Sequence, residues 1–407
     1  LGALTPTQIS ALSATAVSGL DATQVGALTT TQIGGLTGTQ LRALSTTDFG
    51  ELSTTQLGAL TATQLSSLSA TNVSALDATT VGNLSTTQVR GLTTTQLAGL
   101  STTDIGELSS TQVGALAPTQ LAALSATNIS ALDATQVGAL STTQVRALTA
   151  DQMRGLSTTD IGELSSTQVG ALATTQVAAL SATNVGALST TQLGGLSSTQ
   201  LASVTNTGLS ALDATQVAAL TTTQVRGLTT TQIRSLSTTD FAELTSTQIG
   251  ALTSTQISGI SAANLSAMDA TTVGVLSTTQ LQGLSTIQLV GLTSTDIGDF
   301  SSTQIAGLTS TQLGSLTATT FSALDATQVS GLSSTQVRGL SSGQVAALTE
   351  TDIGELTSTQ ITGLTPTQLS ALSTTSLSAL DATQMGALSG TQLRGMSTTQ
   401  VRALSTT

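Results

Sequence analysis

Pairs of carboxylates three positions apart recur along this chain: Asp48 with Glu51, Asp104 with Glu107, and Asp160 with Glu163. Farther on, Asp240 precedes Glu243, Asp296 precedes Asp299, and Asp352 precedes Glu355. Oxygen ligands suit a hard cation, which makes Asp48, Glu51, Asp104, Glu107, Asp160 and Glu163 the candidate calcium ligands. Two carboxylates per motif are few for that ion, and no glycine–aspartate nonapeptide signature accompanies them. In the competing reading each Asp is a capping partner at a helix start and each Glu is solvated at a bend. Other chemistry is excluded by composition. His, Cys, Lys, Tyr and Trp are absent, which removes Ser-His-Asp and Cys-His catalysis, Schiff bases and typical zinc sites. A glycosidase dyad needs a cleft, and nothing in the sequence builds one. The expectation is therefore no enzyme, no catalytic residue and no cofactor.

The carboxylates sit inside an eight-residue unit that repeats from Ala3 to Arg402 in fifty copies, without insertion or deletion. The first copy reads Ala3-Leu4-Thr5-Pro6-Thr7-Gln8-Ile9-Ser10; the consensus is small-Leu-Ser/Thr-x-Thr-Gln-aliphatic-x. Numbering these positions 1 to 8, position 3 is Ser, Thr or Asp in forty-eight copies, Ala117 and Ala173 being the exceptions. Such residues cap helix starts because a side-chain oxygen accepts from orphan backbone N–H groups. Gln at position 6 completes a capping box, and the apolar residues at positions 2 and 7 form a hydrophobic staple. Pro6, Pro118 and Pro366 all fall at position 4, the first helical residue, where proline is tolerated. Gly or Ala at position 1, and Gly at many positions 8, favour a C-terminal turn and close packing.

The helices must be short. Leu4, Ile9, Leu12 and Val17 alternate in steps of five and three, so a continuous helix at about 100° per residue would wind its apolar stripe around the surface. A fresh cap in every octad makes the chain restart instead. Such helices fall below the ~12–15 residues needed to stand alone, so they persist only by burying positions 2 and 7 against neighbours. The predicted fold is all-α: a solenoid of very short capped helices, one per octad, running as a single continuous array through residues 1–407. The alternative is a β-solenoid, because Thr, Val and Ile favour strands and stacked Thr and Gln could form ladders.

Charged residues are only 7% of the chain, against 38% hydrophobic, the reverse of a disordered composition. The net charge is −12 and the nine basic residues, all Arg, are scattered singly, which argues against nucleic acid and anionic membranes. No apolar run approaches the ~18–20 residues that span a bilayer. The chain opens on Leu1 and stops inside an octad, so a segment of a longer polypeptide is expected. Abundant Ser and Thr are possible glycan acceptors.

Departures from consensus keep a longer period. Asp takes the cap at Asp21, Asp77 and Asp133, seven octads apart, and again at that interval at Asp213, Asp269, Asp325 and Asp381. The Asp-x-x-Glu motifs keep the same interval, as do Arg90 and Arg146, then Arg338 and Arg394. One slip of three octads separates Asp133 from Asp213. If seven octads make a whole number of turns, the charged octads line one side, meet across turns and set register or choose a lateral partner. Duplication of a seven-octad segment is the alternative account.

Strings such as GLTTTQLA (91–98) and ALSTTQVR (139–146) resemble the octapeptide arrays of large bacterial secreted and surface proteins, adhesin-like or filament-forming, and the resemblance covers the whole chain. It implies a bacterial cell-surface or secreted location and a structural role as filament, stalk, sheath or spacer, with self-association of identical chains. The second functional class is a binding module: an adhesin arm, an ice binder using the Thr-x-Thr pattern of a flat β-solenoid face, or a calcium-binding repeat.

Overall fold

The computed structural model describes residues 1–404. Among these residues fifty short α-helices follow one another, one per octad, from Pro6–Ser10 to Thr398–Leu404, and there is no strand. The all-α expectation holds and the β alternative does not. The chain forms two compact units, Leu1–Leu212 and a second beginning at Asp213. Asp213 is also the first cap aspartate after the slip in the seven-octad rhythm.

Each helix starts as its sequence dictates. In Gly38–Ala43 the cap Thr37 is extended (φ −79°, ψ 155°), its Oγ1 accepts from Gln40 N at 3.3 Å, and Gln40 Oε1 accepts from Thr37 N at 2.7 Å. Where the cap is Ala117, only the second half survives: Gln120 Oε1 accepts from Ala117 N at 2.7 Å. Pro6, Pro118 and Pro366 each occupy the first helical residue. No described residue has positive φ, so glycine supplies no left-handed cap. The chain leaves most helices through the apolar residue at position 2, usually Leu, whose N–H closes a last tight turn onto position 7, as Leu36 does onto Ile33 O at 3.1 Å.

The aliphatic residues at positions 7 and 2 form a narrow continuous core in each unit: Ile33, Leu41, Val89 and Leu97 are fully buried, and Leu36 and Leu92 retain 5% exposure. Burying each such side chain contributes about 1.5–3 kcal/mol. Within each unit helices pack on the third one along, as Ala14–Ser18 does on Gly38–Ala43. The coil closes because Gln at position 6 reaches back one turn. Gln152 Nε2 donates to Leu121 O at 2.8 Å and Leu124 O at 2.7 Å, 31 and 28 residues earlier. One turn therefore takes between three and four octads.

Glycine at position 1 permits this close stacking. A Cβ on Gly91 would lie 2.6 Å from Ala62 Cβ and 2.9 Å from its carbonyl oxygen. At Gly106, a position 8, nothing lies within 4 Å. We expect Gly91→Ala to destabilise by about 1–3 kcal/mol through overpacking. Gly106→Ala should be neutral or stabilising by up to about 1 kcal/mol. Urea denaturation of the two variants side by side checks this; equal behaviour would refute the stacking role.

Candidate functional site

The repeated chemical unit is the position-6 side chain and its surroundings. Gln152 is 2% exposed and fully bonded: Oε1 accepts from Thr149 N at 2.7 Å, while Nε2 serves the two carbonyls of the preceding turn. Leu121 O, near the end of an earlier helix, also accepts from Leu124 N at 3.2 Å, and Leu124 O lies in the link after that helix, beyond its intrahelical donors. One amide thus caps its own helix start and an earlier helix end. The capping half was expected from sequence; the cross-turn half was not. A signal was present. Gln and Glu serve equally in a capping box, and Glu would suit a helix N-terminus better, yet position 6 is Gln in thirty-four copies and Glu in none. A side chain that can also donate is favoured there. Shorter side chains reach less far: Asn72 Nδ2 donates to Leu44 O alone, at 3.0 Å, and Thr320 Oγ1 to Leu292 O at 3.2 Å.

Aspartate at position 6 cannot donate, and the preceding turn adapts. Ser18 Oγ donates to Asp48 Oδ2 at 2.7 Å, Ser74 to Asp104 at 2.6 Å, and Ser130 to Asp160 at 2.5 Å. The same oxygen of Asp48 also accepts from Ser45 N at 3.0 Å. The Ser18 hydroxyl and then the Ser45 amide hold the Asp48 carboxyl below the usual carboxylate range. Backbone and side-chain donors of Thr80 do the same for Asp77, and those of Thr272 for Asp269. Asp48, Asp104 and Asp160 are thus capping partners, as the competing reading had it.

The glutamates are not simply solvated. Glu51, Glu107 and Glu163 are half-buried, and in each, as in Glu355, Oε2 is enclosed without a hydrogen-bond partner. Burial, followed by repulsion from Asp104 and from Asp77 of the previous turn, raises the Glu107 carboxyl above its ordinary value. Glu163 is raised by burial, Asp160 and Asp133; Glu243 by burial, Asp240 and Asp213; Glu355 by burial, Asp352 and Asp325. These acids meet across turns, as expected of the seven-octad period. They are close enough to repel, but among the described residues no three of them converge to hold a metal ion. Arginine does not neutralise them. Arg154 pairs with its neighbour Asp151, whereas Arg90, Arg146, Arg226, Arg338 and Arg394 form no ion pair among the described residues.

Threonine fills position 5 in forty-six copies and is exposed at every one of them. It is a mediocre helix former on a solvent face, and folding gives no reason for it. The flat β-face that an ice-binding reading required is absent among the described residues, because the threonines ride on helices. Surface depressions are open grooves between turns; the one lined by Thr142, Arg146, Gly170, Leu172, Ala173 and Gln200 holds a single charged residue. No described helix is long and apolar enough to cross a membrane.

The fold and its repeating amide define a tandem-repeat helical solenoid. Residues 1–38, 81–118, 113–150, 145–182 and 224–254 are similar to the ALTTAQ repeat family. No curated protein matches the chain.

The amide's double duty is open to direct test. Gln152→Glu keeps the acceptor for Thr149 N but sets a carboxylate against two carbonyl oxygens, so it should destabilise at least as much as Gln152→Ala, about 2–4 kcal/mol. Urea unfolding, with hydrogen exchange locating the loss, measures both; a harmless glutamate would remove the cross-turn role. The carboxylates predict a pH profile. A glutamate whose folded pKa lies above its unfolded value binds protons more readily in the native state, so stability rises as pH falls through the raised value. The lowered aspartates act oppositely, losing their contribution as pH falls below 3.8. Melting temperature should therefore climb from neutral pH toward the ordinary glutamate value of 4.5 and drop below 3.8. Glu→Gln at 107, 163, 243 and 355 together should flatten the climb; an unchanged profile would show that these groups are not its source.

Proposed function

We propose that this chain is a structural extracellular repeat protein that serves as a filament, stalk, sheath or spacer at a bacterial cell surface. One observation carries the reading: side chains that elsewhere would build a site are consumed in joining one turn to the next. Position 6 caps and bridges, position 3 caps, and positions 2 and 7 fill the core. The groove lined by Thr142, Arg146, Gly170 and Gln200 is open and holds one charged residue. The resemblance to octapeptide arrays of secreted and surface proteins supports the location. The composition suits it too, lacking Cys altogether and carrying few charges to resist dense packing. The exposed position-5 hydroxyls leave such a surface open to O-linked sugars.

The reading requires stability to be collective. Fixing a residue's backbone costs about 1–2 kcal/mol, and an octad recovers that only by burial and bonding against adjacent turns. A peptide of three octads is too short to hold two residues 28 apart and so cannot form any cross-turn amide bond. It should be unfolded by circular dichroism, whereas arrays of several turns should gain stability with each turn added. A three-octad peptide as helical and as heat-resistant as the whole chain would overturn the proposal. So would electron micrographs of the full chain showing a compact particle with a pocket.

A further inference from the structure

All nine arginines occupy position 8, and every one is exposed. They also keep strict phase with the cap aspartates. Arg90, Arg146, Arg226, Arg338 and Arg394 each end the octad that follows a cap aspartate's own, the pairs being Asp77–Arg90, Asp133–Arg146, Asp213–Arg226, Asp325–Arg338 and Asp381–Arg394. The other four, Arg42, Arg154, Arg234 and Arg402, end the octad after that. At the first of these places, Gly34 follows Asp21 and Gln282 follows Asp269.

The turn length converts these offsets into directions. Cross-turn bonds join residues 28 to 31 apart, so the step from a cap to the end of the next octad is a little under half a turn. Asp104 and Glu107 come one turn after Asp77 and lie back over it. Acids therefore gather on one flank of each unit, and the arginines of the first set face nearly the opposite way. Because seven octads come close to two turns, both columns recur along the coil at the same interval. The expectation that all charged octads share one side is corrected in this respect. Those five arginines have no carboxylate partner among the described residues, and the acids of the cross-turn clusters have no cation paired with them there.

We infer that the arginine flank of a unit in one molecule docks on the acidic flank of a unit in a second copy of this chain, side by side, a contact that rests on the structural role proposed above and gives it a lateral geometry. The contact is heterologous: each unit offers one flank as donor and the opposite flank as acceptor, so it propagates into sheets or bundles and does not close as a dimer. Charge selects the register. With a net charge of −12, two copies repel unless an arginine column faces an acidic one. Spacing reinforces the match, because both columns share the seven-octad interval and several pairs form together or not at all.

The full chain should be followed by analytical ultracentrifugation at about 0.1 M salt, where the screening length of ~10 Å damps whole-molecule repulsion but spares contacts, and at about 1 M, where it is ~3 Å. Concentration-dependent assemblies are expected at the lower salt and the 40.3 kDa monomer at the higher. Replacing Arg90, Arg146, Arg226, Arg338 and Arg394 by Gln together should weaken self-association about tenfold or more while leaving the circular dichroism spectrum unchanged. A chain carrying those five replacements still has an acidic flank, so added to the native chain it should bind and stop growth, reducing assembly size. Assemblies that persist undiminished in 1 M salt or in the five-fold variant would overturn the charge-docked contact while leaving a structural role intact. A native chain that stays monomeric at every salt would overturn the contact itself.

Discussion

The structure depends on a carboxamide that bonds in two directions. Its oxygen closes the start of one short helix, and its nitrogen closes the carbonyls left at the end of another, a turn earlier. A helix of five or six residues has more orphan backbone groups than internally satisfied ones. Fifty such helices in succession would be untenable if each had to cap both ends by itself. Sharing one side chain between an N-terminus and a C-terminus resolves the shortage. It also fixes the pitch, because the amide nitrogen must meet oxygens 28 and 31 residues back.

This constraint explains which substitutions the repeat admits. Position 3 can become Ala117 because the glutamine half of the box still holds the cap amide. Position 6 can shorten to Asn128, which keeps one carbonyl, Leu100 O at 2.9 Å. It becomes Asp where a serine stands one turn earlier to donate, as Ser266 does to Asp296 at 2.6 Å and Ser322 to Asp352 at 2.6 Å. The cost of that exchange falls on the next residue but two, whose carboxylate is left half-buried beside two others.

Local features were legible in the sequence because they join residues three or four apart. Thr37 and Gln40, Pro366 at a first helical position and the buried pair Ile33–Leu36 follow from spacing alone. The cross-turn partners of Gln40, Ile9 O and Leu12 O, lie beyond any local pattern; only the exclusion of Glu from position 6 hinted at a needed donor. The role of glycine was half legible. Its small size and the turn at the helix end were read, but not the form of that turn, in which the position-2 leucine swings to extended backbone, as Leu44 does at φ −63°, ψ 132°. The enclosure of Glu107 was illegible, since part of it comes from Asp77, a full turn away, whose placement depends on pitch.

The links between helices have a consequence of their own. They are two to four residues long, and each is pinned by an apolar residue, nearly always leucine, that faces the core. Proteolytic nicking concentrates at exposed, yielding loop tips, and among its described residues this chain keeps such segments short, though link residues such as Asp21 and Thr29 are exposed. Digestion must wait for a turn to open, so its rate follows the thermodynamics of opening and not the number of cleavable bonds. A chain made of common, inexpensive amino acids gains durability from having almost nothing between its helices to cut.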